Sequence, residues 1–79
     1  MPHYPQAREN VAVHARDIPE SVSVEVERTN RELGHTGRIL VRPSGTEPVV
    51  RILAEAETEE ESERLCGRIS ALVRRELGS

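Results

Sequence analysis

Residues 21–27 read S-V-S-V-E-V-E, and two architectures depend on how they are taken. Their alternation of polar and apolar side chains is that of a half-buried strand. A wider window favours a helix, because Val22, Val26, Thr29 and Leu33 recur at spacings of four, three and four, one face of a 3.6-residue turn. The flanks agree. D-I-P-E at 17–20 offers Asp17 as a cap, Pro19 in the first turn and Glu20 to complete a capping box. Gly34 then supplies a stop. A helix from the Asp17 cap to Gly34 is therefore predicted.

Working outward, E-N-V-A-V-H-A at 9–15 places Val11 and Val13 on one face and Asn10 and His14 on the other, as a strand would. Pro2 and Pro5 leave residues 1–8 as an irregular lead-in. After the helix, His35, Thr36 and Gly37 form a turn, and R-I-L-V-R at 38–42 reads as a short buried strand. V-V-R-I-L-A-E-A at 49–56 is the next strand, with Val50, Ile52, Ala54 and Ala56 on one face and Arg51 and Glu55 on the other. Two strands joined by a short loop pair antiparallel. The last helix carries a T-x-x-E capping box at Thr58 and Glu61, glutamates 59–61 at its positive end and Arg74 and Arg75 near its negative end. Leu65, Ile69, Leu72, Val73 and Leu77 form its apolar stripe, and Gly78 follows as a stop. The order β-α-β-β-α predicts one α+β domain over residues 1–79, with two layers: a mostly antiparallel sheet of three or four strands, and two helices on one of its faces.

Seventy-nine residues with 35% hydrophobic content and one aromatic, Tyr4, confine the core to Val, Leu, Ile and Ala. A domain this small buries little surface and leans on neighbours. Fourteen acidic residues outweigh eleven arginines, there is no lysine, and the net charge is −3, which argues against a nucleic-acid partner tracked through its phosphates. A single cysteine, Cys66, excludes an internal disulfide. With no charged-then-apolar leader and no apolar run of membrane-spanning length, the chain reads as cytoplasmic, without a membrane partner.

The chemistry concentrates in R-P-S-G-T-E-P at 42–48. Pro43 and Pro48 interrupt the strand ladder and stiffen the connection. Between them, backbone amides, the hydroxyls of Ser44 and Thr46 and the guanidinium of Arg42 are the donors that a phosphate's oxygens require. Gly45 can adopt backbone angles closed to other residues and admits an anion closely. Arg51 is a second candidate cation, its reach depending on strand register. Glu47 suits orienting Arg42 or Arg51, or accepting loop amides. Composition alone leaves a plain turn and an anion site both open, since Pro, Ser, Gly and Thr are common turn formers.

His3, His14 and His35 are scattered and form no metal set. Cys66 is expected to be a partly buried structural thiol, Ser62 and Ser70 surface residues, and the acidic run from Glu59 to Glu63 a solvated helix start. No catalytic set is visible.

R-P-S-G-T-E-P, preceded by G-R-I-L-V and followed by V-V-R-I-L-A-E-A, resembles the C-terminal domain of the α-D-phosphohexomutase family. Y-P-Q at 4–6 with N-V at 10–11 resembles that domain's opening, so the likeness runs over nearly the whole chain. Gly45 favours the bacterial branch that converts glucosamine 6-phosphate to glucosamine 1-phosphate, a step towards amino-sugar nucleotides and cell-wall precursors. The chain departs from the family at Ala7, Arg8 and Glu9, where a more apolar strand is usual. The resemblance implies a four-domain isomerase whose first domain carries a transferable phosphoryl group on a phosphoserine and whose second binds Mg²⁺ through aspartates. It implies that the fourth domain grips the substrate's non-reacting phosphate, through Arg42, Ser44, Gly45 and Thr46, with Arg51 beside them. The implied partners are a phosphosugar and the other three domains, and a lone fourth domain would be catalytically inactive. The same domain of a phosphoglucomutase or phosphomannomutase, or a non-enzymatic α+β interaction module, are the alternatives.

Overall fold

The computed structural model describes residues 4–13 and 18–77. Its elements are β1 (Gln6–Ala12), α1 (Glu20–Leu33), β2 (Arg38–Pro43), β3 (Val49–Glu55) and α2 (Glu59–Leu77). The three strands form one antiparallel sheet in the order β1-β3-β2. The predicted α+β class and element order are those observed. S-V-S-V-E-V-E is helical, with Val22 and Thr29 buried and Val26 and Leu33 packed against the core.

The central strand organises the layers. Val50, Ile52, Ala54 and the following Ala56 are buried under the helices. The register pairs Ala54 with Ala7 and Ile39, Ile52 with Glu9 and Val41, and Val50 with Val11 and Pro43, so all of these share the helix-covered face. Helix α2 covers β1 and β3, α1 covers β2, and the helices touch each other. Glu25 of α1 pairs with Arg68 of α2, Ser21 Oγ donates to Glu76 Oε1 at 2.7 Å, and Glu9 on β1 pairs with Arg74 of α2.

Four local readings change. β1 begins at Gln6, inside the stretch taken as irregular, because the Pro5 carbonyl already accepts the Ala56 amide at 3.2 Å. The α1 cap is Pro19, in extended conformation and with no side-chain cap bond; its carbonyl accepts the amides of Val22 and Ser23. Asp17, His3, His14 and Gly78 lie outside the described residues. β2 is not a wholly buried strand: Ile39 is buried, but Leu40 is 38% exposed because nothing covers the sheet's second face. Ser62 and Ser70, read as surface residues, are fully buried. With Cys66 they repeat every four residues and run beside the Leu65, Ile69, Val73 row, so the packed face of α2 is wider than its leucine and isoleucine stripe. Ser62 Oγ donates to the Glu59 carbonyl at 2.7 Å, which satisfies it internally. Thr58 caps α2 as expected, its Oγ1 accepting the Glu61 amide at 3.1 Å.

Two contacts fix α1 and β2 against the sheet. Gly34 closes α1 at φ 57°, in the left-handed range that favours glycine. Asn30 then acts as a substitute strand for the outer edge of β2: its Nδ2 donates to the Ile39 carbonyl at 3.0 Å and its Oδ1 accepts the Ile39 amide at 2.6 Å. Gly37 lets β2 start against β3, since a Cβ there would stand 2.1 Å from the Glu55 carbonyl oxygen.

Urea denaturation of Gly37→Ala should show a loss of at least about 1–3 kcal/mol, because backbone must move to admit the methyl. Gly67→Ala, on the exposed side of α2 with nothing near its Cβ, should instead gain about 0.5–1 kcal/mol. Asn30→Ala should cost about 1–3 kcal/mol by leaving the Ile39 amide and carbonyl without partners, measured by the same midpoint shift.

Candidate anion site

The uncovered face of the sheet is set by the same register. Arg42 lies directly opposite Arg51, which in turn lies opposite Asn10. The next row is Leu40, Leu53 and Arg8, and the last is Arg38, Glu55 and Gln6. This face therefore carries four arginines and one glutamate, while most of the chain's glutamates sit on the helices. A chain of net charge −3 thus has one strongly positive surface.

Only one of those arginines has an acidic partner among the described residues: Arg38 Nε donates to Glu55 Oε1 at 3.0 Å. The side chains of Arg42 and Arg51 make no hydrogen bond or ion pair there, although directly opposed like charges destabilise a strand pair. Register thus brings Arg51 to the side of Arg42, the point that strand parity left open. The Glu47 carboxylate pairs with neither, so no orienting contact from it is present in this conformation.

The loop between β2 and β3 is tied down by backbone bonds. The Ser44 amide donates to the Val49 carbonyl at 2.8 Å, the Val49 amide to the Glu47 carbonyl at 2.7 Å, and the Val13 amide to the Pro48 carbonyl at 2.9 Å. The Ser44 hydroxyl accepts the amides of Thr46 and Glu47, each at 3.4 Å. These two amides turn towards Ser44 and do not form an open anion nest. A hydroxyl whose two lone pairs face amide donors has its proton left to give. Gly45 does not use the left-handed backbone region, contrary to the conformational role expected of it. A Cβ there would meet nothing within 4 Å, so its contribution is open room beside the loop.

Arg42, Ser44, Gly45, Thr46 and Arg51 line one concavity of about 710 Å³, and Arg8, Asn10, Leu40 and Leu53 extend its wall across the sheet. It is larger than one phosphate requires, which leaves space for the body that bears the anion. Arg8 and Asn10 were not singled out by the loop motif; the period-two alternation of β1 was the available signal, once its register was known. No group of three or more His, Cys, Asp and Glu that could hold a metal occurs among the described residues. No helix among them is long and apolar enough to cross a membrane.

Cys66 lies away from this concavity and is 3% exposed. Burial pushes its thiol above the ordinary value, Ser70 one turn on opposes the shift, and the Glu9 carboxylate adds to it. That Ser70 contact is weak, since its Oγ has no well-formed hydrogen bond, and the thiol is structural.

Arg51→Gln should raise the stability of the anion-free chain by about 0.2–1 kcal/mol in urea denaturation, by removing the like-charge pair. Inorganic phosphate should raise the melting temperature of the unmodified chain more than chloride of equal ionic strength, through binding to the folded state, and should do so less for the variant.

The chain matches known proteins over its full extent. The sequence profile described as "Phosphoglucomutase/phosphomannomutase, C-terminal domain" matches residues 5–72. A phosphoglucosamine mutase of Listeria monocytogenes is 47% identical over 98% of this chain, which corresponds to 18% of that protein. One of Rubrobacter xylanophilus is 49% identical over 99% of the chain and 19% of its own length. The chain thus spans less than a fifth of these relatives. Among solved structures, Aspergillus fumigatus N-acetylphosphoglucosamine mutase, in complex with GlcNAc-6P and magnesium, superposes with a TM-score of 0.78 at 26% identity, over 91% of this chain and 16% of that one. An N-acetylglucosamine-phosphate mutase of the α-D-phosphohexomutase superfamily, in its substrate complex, gives 0.75 at 32% identity, over 89% and 15%.

Proposed function

The chain belongs to the C-terminal domain family of phosphoglucomutases and phosphomannomutases, and from that premise we propose that it holds the non-reacting phosphate of a phosphosugar within a mutase that converts glucosamine 6-phosphate to glucosamine 1-phosphate. The observation that carries this reading is the cross-strand pair Arg42 and Arg51, opposed without a carboxylate partner beside the Ser44 hydroxyl. An oxyanion placed between the two guanidinium groups turns their repulsion into attraction. Charge-assisted bonds from each fork, and from the hydroxyls of Ser44 and Thr46, then spread over its oxygens.

The exposure of these groups suits their task. A phosphate held here fixes one end of the sugar, and that binding energy orients the other end for reaction. A mutase whose intermediate turns round must hold either phosphate in turn, and contacts confined to phosphate oxygens tolerate the exchange. Gly45 keeps the approach open, and Glu47 is assigned to orient an arginine once the anion is bound. In this scheme the Mg²⁺ and the phosphoserine belong to the preceding domains and supply the metal charge and the transferable group. This chain by itself turns over no substrate.

Titration of the chain with inorganic phosphate, followed through backbone amide NMR shifts, should move residues 42–51 first. Arg42→Ala should weaken the response about tenfold or more, the scale of a lost charge-assisted bond, and Ser44→Ala less. In the intact enzyme carrying this domain, Arg42→Ala should lower kcat/KM for glucosamine 6-phosphate by a similar or larger factor. Unchanged turnover, or amide shifts confined to the helices, would refute the assignment.

A further inference from the structure

We propose that Arg8 on β1 is a third cationic contact of this anion site, so that all three strands contribute a guanidinium to one phosphate-bearing ligand; the proposal rests on the phosphate reading of the loop and deepens it. Arg8 faces Leu53 in the register, two residues along β3 from Arg51 and on the same open face. Such diagonal neighbours stand about 7–8 Å apart, within reach of long side chains. Arg8 lines the same concavity as Arg42, Ser44 and Arg51. The only polar contact of its side chain among the described residues is a long one, Nη2 to Gln6 Oε1 at 3.4 Å.

The plainer account is that a charge on an edge strand merely discourages pairing with other chains. Arg38 shows what an arginine of this face does when a carboxylate is in reach: it bonds to Glu55. Arg8 has no such partner and borders the Leu40–Leu53 row, an apolar strip over which the uncharged body of a ligand can lie while its phosphate faces the arginines. Three converging cations favour a doubly charged oxyanion over a singly charged one. A phosphate monoester gains its second charge near pH 6, so the contribution of Arg8 should be larger above that pH than below it.

The test compares the unmodified chain with Arg8→Gln, Arg42→Gln and Arg38→Gln, titrated with inorganic phosphate at pH 5 and pH 8. Amide spectra without phosphate verify the fold of each. Arg8→Gln is expected to weaken binding about fivefold at pH 8, to flatten the gain from pH 5 to pH 8, and to lessen the sensitivity to added salt. Arg38→Gln should bind like the unmodified chain. If Arg8→Gln matches the unmodified chain at both pH values while Arg42→Gln loses binding, Arg8 is an edge charge only and the inference is overturned with the loop site intact. If the unmodified chain shows no phosphate response at residues 42–51, the loop site itself is wrong and the inference falls with it.

Discussion

The pairing register of β3 is the constraint on which this structure depends. Because side chains alternate between faces, a slip of one residue would send Arg51 into the core and Val50 and Ile52 into solvent. Burial of Val50, Ile52, Ala54 and Ala56 beneath the helices makes that slip costly. The same alternation delivers Arg51 to the uncovered face, opposite Arg42. Core and site are thus two consequences of one register, and the apolar side of β3 holds the polar side in place.

A one-sided sheet separates the charges. The helices carry most of the glutamates; Glu25 of α1 is tied by an ion pair to Arg68 of α2, and the strand residue Glu9 is tied to Arg74 of α2. The open face keeps its arginines near the loop without carboxylates. Net acidity is therefore a poor guide to this domain's ligand: −3 for the whole chain coexists with a local field suited to an anion. The loop is held by the backbone. Three backbone bonds tie it to Val13, just past β1, and to Val49 at the start of β3, and two proline rings limit it further, so less ordering remains to be done when a ligand arrives.

Much of this was legible along the chain because it rests on local periodicity. The helix at 20–33 followed from Val22, Val26, Thr29 and Leu33 despite the strand-like S-V-S-V-E-V-E, and the antiparallel hairpin followed from two apolar runs around a short loop. What escaped was whatever depends on a partner distant in sequence. Ser62 and Ser70 look solvated by residue type, yet their spacing places them under the sheet. Asn30 is an ordinary helix residue until β2 arrives with an unpaired edge at Ile39. Gln6 to Arg8 look irregular after two prolines until β3 offers them a ladder. Of the two properties read into Gly45, special backbone angles and room for an anion, the first is not used.

Sequence by itself determined the element order, the apolar members of the core and the side chains present in the 42–48 loop, since each follows from propensity, period and side-chain chemistry within a short window. Tertiary structure alone decided which arginines face one another. That outcome depends on the register between strands separated by a helix and by a loop, and on which face of the sheet the helices cover; neither is written in any one segment.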